Sequence, residues 1–365
     1  MARNKLSTLW RRSFKRTLKA MTKTTVRAGS KAIAKALRAA PKAPHAPKTV
    51  RARKPATSRA TRATTWSAGV AIGPGCTRHY RLIKPAGLRR TERLPLMVML
   101  HGCAQDAETI AAISRMNRIA ARERFLVLYP EQNRFANAQN CWNWFDTKSG
   151  RAQGESGAIE AAIDQVCLGH GVDATRVALV GFSAGAGMAA LLAVRRPNRY
   201  RAVVMHSGIG PGVAHSTATA ISAMRGRRIR AAPLAVDIQR PALLVIHGSA
   251  DHTVAPANGA EAARAWAAPA GAKAGKPRVV QRGARYPATI TEYRTASRRV
   301  SGTIAAIEPR LVAVHCEISS LGHAWSGGAA GHPFSDPKGP DASRMIWSFV
   351  VKQFESDLKK QLAIA

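Results

Sequence analysis

A chain of 365 residues has room for one large domain with an appendage, or for two modest domains. Its formal net charge of +37 is unevenly placed: residues 1–65 hold 19 Lys and Arg and no acid, leaving 38 basic against 20 acidic groups in the remainder. No run of 18 apolar residues occurs, so nothing is expected to span a membrane. Five cysteines (Cys76, Cys103, Cys141, Cys167, Cys316) without a C-x-x-C pair exclude a sequence-evident zinc site and a dense disulfide scaffold.

Within the first forty residues Leu6, Trp10, Phe14, Leu18 and Met21 recur at helical spacing, with cations over the other faces. A basic amphipathic segment of this kind suits an anionic or apolar surface: a granule, an anionic membrane or nucleic acid. The competing reading is a tail that becomes helical only on contact. From Pro41 to about Thr65 the chain is rich in Ala, Pro, Lys and Arg and has little to bury, so 1–65 reads as a polycationic arm and linker. No apolar stretch of signal-peptide length opens the sequence, and the expectation is therefore a cytoplasmic, granule-associated location.

Order is expected from Trp66, and residues 66–365 read as one catalytic domain. Residues 67–72 and 77–83, around Gly-Pro-Gly, predict an antiparallel pair. Apolar runs at 94–100, 125–129, 177–180, 202–205, 242–246 and 311–315 predict buried strands. Helices are expected at 107–123, 155–169, 188–194, 258–267 and 342–361. Strands alternating with helices predict an α/β fold with a mostly parallel, doubly wound sheet.

The strand at Val177–Val180 runs into Gly181-Phe-Ser-Ala-Gly185 and then a helical stretch, so G-x-S-x-G falls on a strand-to-helix turn. Such a turn pushes Ser183 out at the carboxyl end of the sheet, where a helix N-terminus favours negative charge. A tightly packed Gly-rich turn is the plain alternative. In a doubly wound sheet the reactive groups sit beyond the carboxyl ends of strands. There the sequence offers Asp251, in His247-Gly-Ser-Ala-Asp251, and His323, in Leu321-Gly-His323. The order Ser183, Asp251, His323 is that of the α/β-hydrolase triad, with gaps of one or two β–α units. Taken singly, Asp251 also reads as a helix N-cap and His323 as a loop hydrogen-bonder. His101, His206 and His247 read as structural, His252 lies on the wrong strand end, and His332 is the fallback base. An oxyanion would need the backbone N–H of Ala184 and of Cys103, in the turn after the 94–100 strand. The chemistry calls for no cofactor and no metal.

Leu100-His-Gly-Cys-Ala-Gln105, Asn140-Cys-Trp-Asn-Trp-Phe145, Gly181-Phe-Ser-Ala-Gly185, His247-Gly-Ser-Ala-Asp251 and Gly322-His-Ala-Trp-Ser-Gly-Gly328 together resemble the poly(3-hydroxybutyrate) depolymerase-type esterases, a family with feruloyl- and acetylxylan-esterase-like members. The resemblance covers about residues 66–355. It implies an α/β-hydrolase acting on an ester or polyester, with Ser183, Asp251 and His323 as the triad and Cys103 with Ala184 as the oxyanion hole. Many members are secreted, so it also points to the extracellular region. Trp142, Trp144, Phe145 and Trp325 are expected to line an apolar cleft or to pack the loops down. Cys141 is a partner for Cys103 in an oxidising compartment, with connectivity left open. A binding protein on a hydrolase scaffold is the reading from a different class.

Overall fold

The computed structural model describes residues 64–73, 76–227, 230–236, 238–299 and 306–364. The chain divides into two units, Met1–Thr61 and Arg62–Ala365. The arm, with its stripe at Leu6, Trp10, Phe14, Leu18 and Met21, lies outside the described residues.

The second unit is organised on an 11-stranded mixed sheet. Its centre is six parallel strands in the order β4 (Leu126–Pro130), β3 (Leu94–Leu100), β5 (Val172–Phe182), β6 (Ala202–His206), β7 (Ala242–Gly248) and β13 (Leu311–Ile318). Every residue of β3, β4, β6 and β7 is buried, as expected for strands covered on both faces. On one edge β2 (Cys76–Pro85) pairs antiparallel with β4, and β1 (Thr64–Gly73) with β2. On the other edge β10 (Ala288–Arg294) pairs antiparallel with β13, and carries β8 (Lys273–Ala274) and β9 (Arg278–Val280). Two short pairs, β11 (Arg298–Arg299) with β12 (Ala306–Ile307) and β14 (Trp325–Ser326) with β15 (Ser335–Asp336), stand apart from this sheet.

Alternate strand residues meet the helices α1 (Ala107–Ser114), α2 (Met116–Glu123) and α7 (Ala342–Ile364) in one apolar core, for example Met97, Val180, Val204 and Ile246 against Ile110, Met116 and Ile346. The other face packs against α3 (Arg151–Gly169), α4 (Ala184–Arg195) and α6 (Ala257–Ala267).

The parallel centre and the β1–β2 pair follow the expected pattern, while other features differ from it, among them the following four. The single helix expected over 107–123 is broken at Arg115, whose φ is 54°. The break frees the carbonyls of Ile113 and Ser114 to accept from Ala329 N–H and Ser343 Oγ, and the Arg115 guanidinium donates to the Gly327 carbonyl. Helix α3 starts at Arg151, earlier than 155. The helix α5 (Thr217–Met224), held by a Ser216/Thr219 capping box, was not anticipated. Nor were β8–β10, whose exposed cationic residues carry no alternation strong enough to read.

Between β3 and β5 the strand order reverses, and the crevice beyond their carboxyl ends is where such sheets place ligands.

Candidate active site

At the end of β5 the backbone has little choice. A Cβ on Gly181 would lie 2.1 Å from the Gly185 carbonyl oxygen, inside the start of α4. A Cβ on Gly185 would lie 2.3 Å from the Leu100 oxygen and 2.5 Å from that of His101. Both glycines of G-x-S-x-G are therefore required by close approach of strand and helix. Between them Ser183 adopts φ 55° and ψ −118°, and its N–H donates to the His206 carbonyl at 2.8 Å. A non-glycine residue held in this region costs about 1–3 kcal/mol, and the surrounding structure must impose it.

Three strand ends then converge on one hydrogen-bonded chain. His323, on the loop after β13, lies 3.0 Å from Ser183 Oγ through Nε2 and 2.7 Å from Asp251 Oδ2 through Nδ1. Asp251, on the loop after β7, is an acceptor, so Nδ1 carries the proton and Nε2 is left to accept from the serine hydroxyl. Asp251 is buried, and its other oxygen accepts the N–H groups of Thr253 (2.9 Å) and Val254 (2.8 Å). Burial pushes the Asp251 pKa up, but the opposing pull of His323 and the hydrogen bonds from His247 and His323 outweigh it, holding the carboxyl well below the usual range.

Two further histidines brace this chain. His247 is buried, with Nε2 3.0 Å from the Val254 carbonyl and 3.5 Å from Asp251 Oδ2, so its proton sits on Nε2 and faces the carboxylate. His206 Nε2 accepts the N–H of Ser326 at 3.1 Å, which leaves Nδ1 to donate to Ser207 Oγ. Burial lowers the His206 pKa to about 3 and that of His101 to about 4, so both rings are neutral spacers. The Phe182 ring lies against His323 at 5.2 Å, and Phe334 meets it edge-on at 6.2 Å. The sequence signals behind these roles were weak: a His-Gly after a strand for His247, and nothing at all for Phe334.

The turn after β3 is fastened from several sides. Gly102 N–H donates to Gln105 Oε1 at 2.8 Å, Ala104 N–H to the Gln139 carbonyl at 2.7 Å, and Cys103 is joined to Cys141 by a disulfide. Because a Cβ on Gly185 would run into the carbonyls of Leu100 and His101, the start of α4 at Ala184 abuts the turn that carries Cys103.

Of the two placements expected for the aromatic residues, the indoles take the packed one. Trp142 is fully buried, with Nε1 donating to the His101 carbonyl at 3.0 Å and the Arg78 guanidinium 5.0 Å from its ring. Trp325 is equally buried, stacked on His206 and donating to Ser343 Oγ at 3.1 Å. Trp144 is buried against Gly187. These three indoles are buried and pack the loops down. Phe145 is half-buried beside Trp144. His332 and His252 are exposed, and His332 lies in a surface recess with Trp66, Arg81 and Arg118. Among the described residues no group of His, Cys, Asp and Glu could hold a metal ion.

A serine hydroxyl, an imidazole and an ionised carboxylate in this register can carry a proton from oxygen to nitrogen and back, the arrangement of nucleophilic acyl transfer. Comparison with known proteins agrees with the fold. The family model described as esterase PHB depolymerase matches residues 78–271, just over half of the chain. The poly(3-hydroxyalkanoate) depolymerase C of Paucimonas lemoignei is 30% identical over 207 residues, covering 54% of this chain and 49% of that protein. Acetylxylan esterase A of Emericella nidulans is 27% identical, covering 51% of this chain and 66% of its own length. The chain thus spans about half to two thirds of these curated relatives. The solved acetyl xylan esterase from Aspergillus awamori matches with a TM-score of 0.56 at 18% identity, over 71% of this chain and 94% of that one, a likeness of fold.

Proposed function

The chain belongs to the esterase PHB depolymerase family, and on that premise we propose that it is a serine carboxylic-ester hydrolase working through an acyl-enzyme on Ser183. The observation that carries this reading is the continuous hydrogen-bonded chain from Ser183 Oγ through His323 to Asp251. Ser183 Oγ attacks the ester carbonyl while His323 Nε2 takes its proton. Asp251 holds the ring in the tautomer that accepts, and stabilises the imidazolium. The developing oxyanion receives the backbone N–H of Ala184, at the N-terminus of α4, and that of Cys103, in the turn after β3. His323 returns the proton to the leaving alcohol, and water repeats the sequence on the acyl-enzyme.

Two acyl carriers suit the reading. Similarity to the Paucimonas lemoignei depolymerase supports a hydroxyalkanoate ester or oligomer. Similarity to acetylxylan esterase A supports an acetyl or feruloyl ester on a polysaccharide. The Cys103–Cys141 disulfide supports an oxidising compartment in place of the cytoplasmic setting expected from the N-terminal sequence. The basic arm would then be a tether to an anionic or apolar surface.

Hydrolysis of p-nitrophenyl butyrate with fluorophosphonate labelling tests the mechanism. Ser183→Ala is expected to lose about 10^4-fold or more in kcat and all labelling. Labelling that persists in the variant would place the nucleophile elsewhere. Hydroxybutyrate oligomers set against methyl ferulate and acetylated xylan then separate the carriers.

A further inference from the structure

The antiparallel strands added beyond β13 form a cationic wing. From Lys273 to Arg285 five of thirteen residues are basic (Lys273, Lys276, Arg278, Arg282, Arg285) and none is acidic. That density is more than twice the average of residues 66–365, so the wing is not simply a sample of a basic protein. Lys273, Lys276, Arg278 and Arg282 are exposed. The acids that approach the wing are few. Glu292 reaches Arg278 at 3.8 Å and Arg294 at 3.0 Å, and Asp336 faces Tyr286. Lys276 and Arg282 have no acidic partner among the described residues.

The part of the wing from Arg278 onward sits at the reactive end of the sheet, whereas Lys273 pairs with Arg294 beside Leu311, at the opposite end. β9 pairs with Ala288–Ile290 of β10, and these residues pair with Cys316–Ile318, the last turn of chain before the His323 loop. Pro287 accepts from Ser319 N–H at 2.9 Å, and Tyr286 N–H donates to Lys338 at 3.1 Å, which joins the wing to the loops on either side of His323. From β5, which carries Ser183, to β9 is five strand steps, roughly 24 Å. A small ester cannot touch both places, whereas a polymer several residues long can.

We infer that this wing binds the carrier chain of the scissile ester, and that the carrier is a carboxylate-bearing polysaccharide. The inference rests on the ester-hydrolase reading and chooses between its two carriers. A hydroxyalkanoate polyester is uncharged along its length and offers such a wing nothing but a terminal carboxylate. Nucleic acid matches the charge, but its backbone is phosphodiester and carries no carboxylic ester along its length to present to Ser183. A uronate-substituted, acylated polysaccharide supplies both. Its carboxylates meet Lys276, Arg278 and Arg282 while an acyl group one short stretch away enters the crevice.

The test compares the full chain with its Lys276→Ser/Arg278→Ser/Arg282→Ser variant, so that the basic arm is common to both. Substrates are acetylated glucuronoxylan, its carboxyl-reduced counterpart and p-nitrophenyl acetate. At low salt the variant is expected to raise KM for the acidic xylan by about ten-fold, from three weak surface contacts. Its kcat, and both constants on the other two substrates, should be unchanged. The difference should collapse near 0.5 M salt, where exposed charges are screened. Equal KM values on the acidic xylan would overturn the inference. Weakened DNA binding with an unchanged KM would reassign the wing to nucleic acid. If the wild type hydrolyses none of the three, the ester-hydrolase reading fails. Retardation of both proteins in a gel holding glucuronoxylan then decides the wing alone: stronger retardation of the wild type supports it and equal retardation overturns it. Should the triple variant lose its fold, Arg282→Ser on its exposed turn gives the same test with a smaller shift.

Discussion

The elbow at the end of β5 and the wing at β8–β10 use the same backbone in opposite ways. At the elbow every residue from Val177 to Phe182 is buried, and neither Gly181 nor Gly185 has room for a Cβ. In the wing, Lys273–Val279 and Gln281–Ala284 are exposed, and charge rather than packing distinguishes them. The proton transfer proposed for the elbow needs atoms held to fractions of an ångström, and packing there over-determines the chain. Attraction between charges falls off slowly with distance and tolerates loose placement, so it is found where little is fixed.

Breaking the elbow's chemistry should have the largest effect. His323→Ala is expected to cost as much in kcat as loss of the serine, about 10^4-fold, since the members act as a unit. His332→Ala and His252→Ala, on exposed side chains outside the hydrogen-bonded chain, should stay within about two-fold on p-nitrophenyl butyrate. Equal damage at His332 would mean that the chain seen here is not the working one.

Breaking the elbow's packing comes next. Gly185→Ala places a methyl 2.3 Å from the Leu100 oxygen, where only backbone can give way. A loss of about 3 kcal/mol in stability, read by urea unfolding, is expected together with most of the activity. A variant as stable as the parent would show that β3 and α4 separate easily, and the contrast with the wing would lose its basis.

Acid should also act on the buried end first. His101 and His206 are buried neutral, with pKa values lowered by burial to about 4 and about 3 from an ordinary 6.5. The unfolded chain therefore takes up protons near pH 6.5, while the folded sites resist until pH 4 or below. Their contribution is fully present above pH 6.5 and is lost as pH falls from there towards 4, by up to roughly 3 kcal/mol for each. Thermal melts at stepped pH check this, and His101→Asn should flatten the acid side. The smallest effect is expected at the opposite sheet edge, where Ile72 on β1 is 84% exposed. Ile72→Thr should change stability by no more than about 0.5 kcal/mol.

Legibility in the sequence followed the same division. The all-apolar runs of β3, β4, β6 and β7 read directly as strands, because burial on both faces leaves no other composition. Ser183 was legible because its constraint is local: two glycines four residues apart, a strand before and a helix after. Asp251 and His323 were legible only as an order along the chain. The indoles were left between two readings, since the sequence shows that Trp142 and Trp325 are large and apolar but not which side of a loop they fill. The break at Arg115 was invisible for a related reason: the contacts made there, to Gly327, Ala329 and Ser343, come from chain more than two hundred residues away.

By itself, then, the sequence determined what is set by neighbours along the chain: the charged arm's composition, the parallel strands, the serine's elbow and the order of its partners. The tertiary structure decided what depends on distant chain meeting in space. It brought His323 to within 3.0 Å of Ser183, set His247 beneath Asp251, and joined Cys103 to Cys141 behind the turn. It also carried Arg278 and the turn with Arg282 and Arg285 to the reactive end of the sheet. Periodicity reports which face of an element is apolar, whereas a hydrogen bond between strand ends depends on the twist and order of the whole sheet, and no window along the chain contains that information.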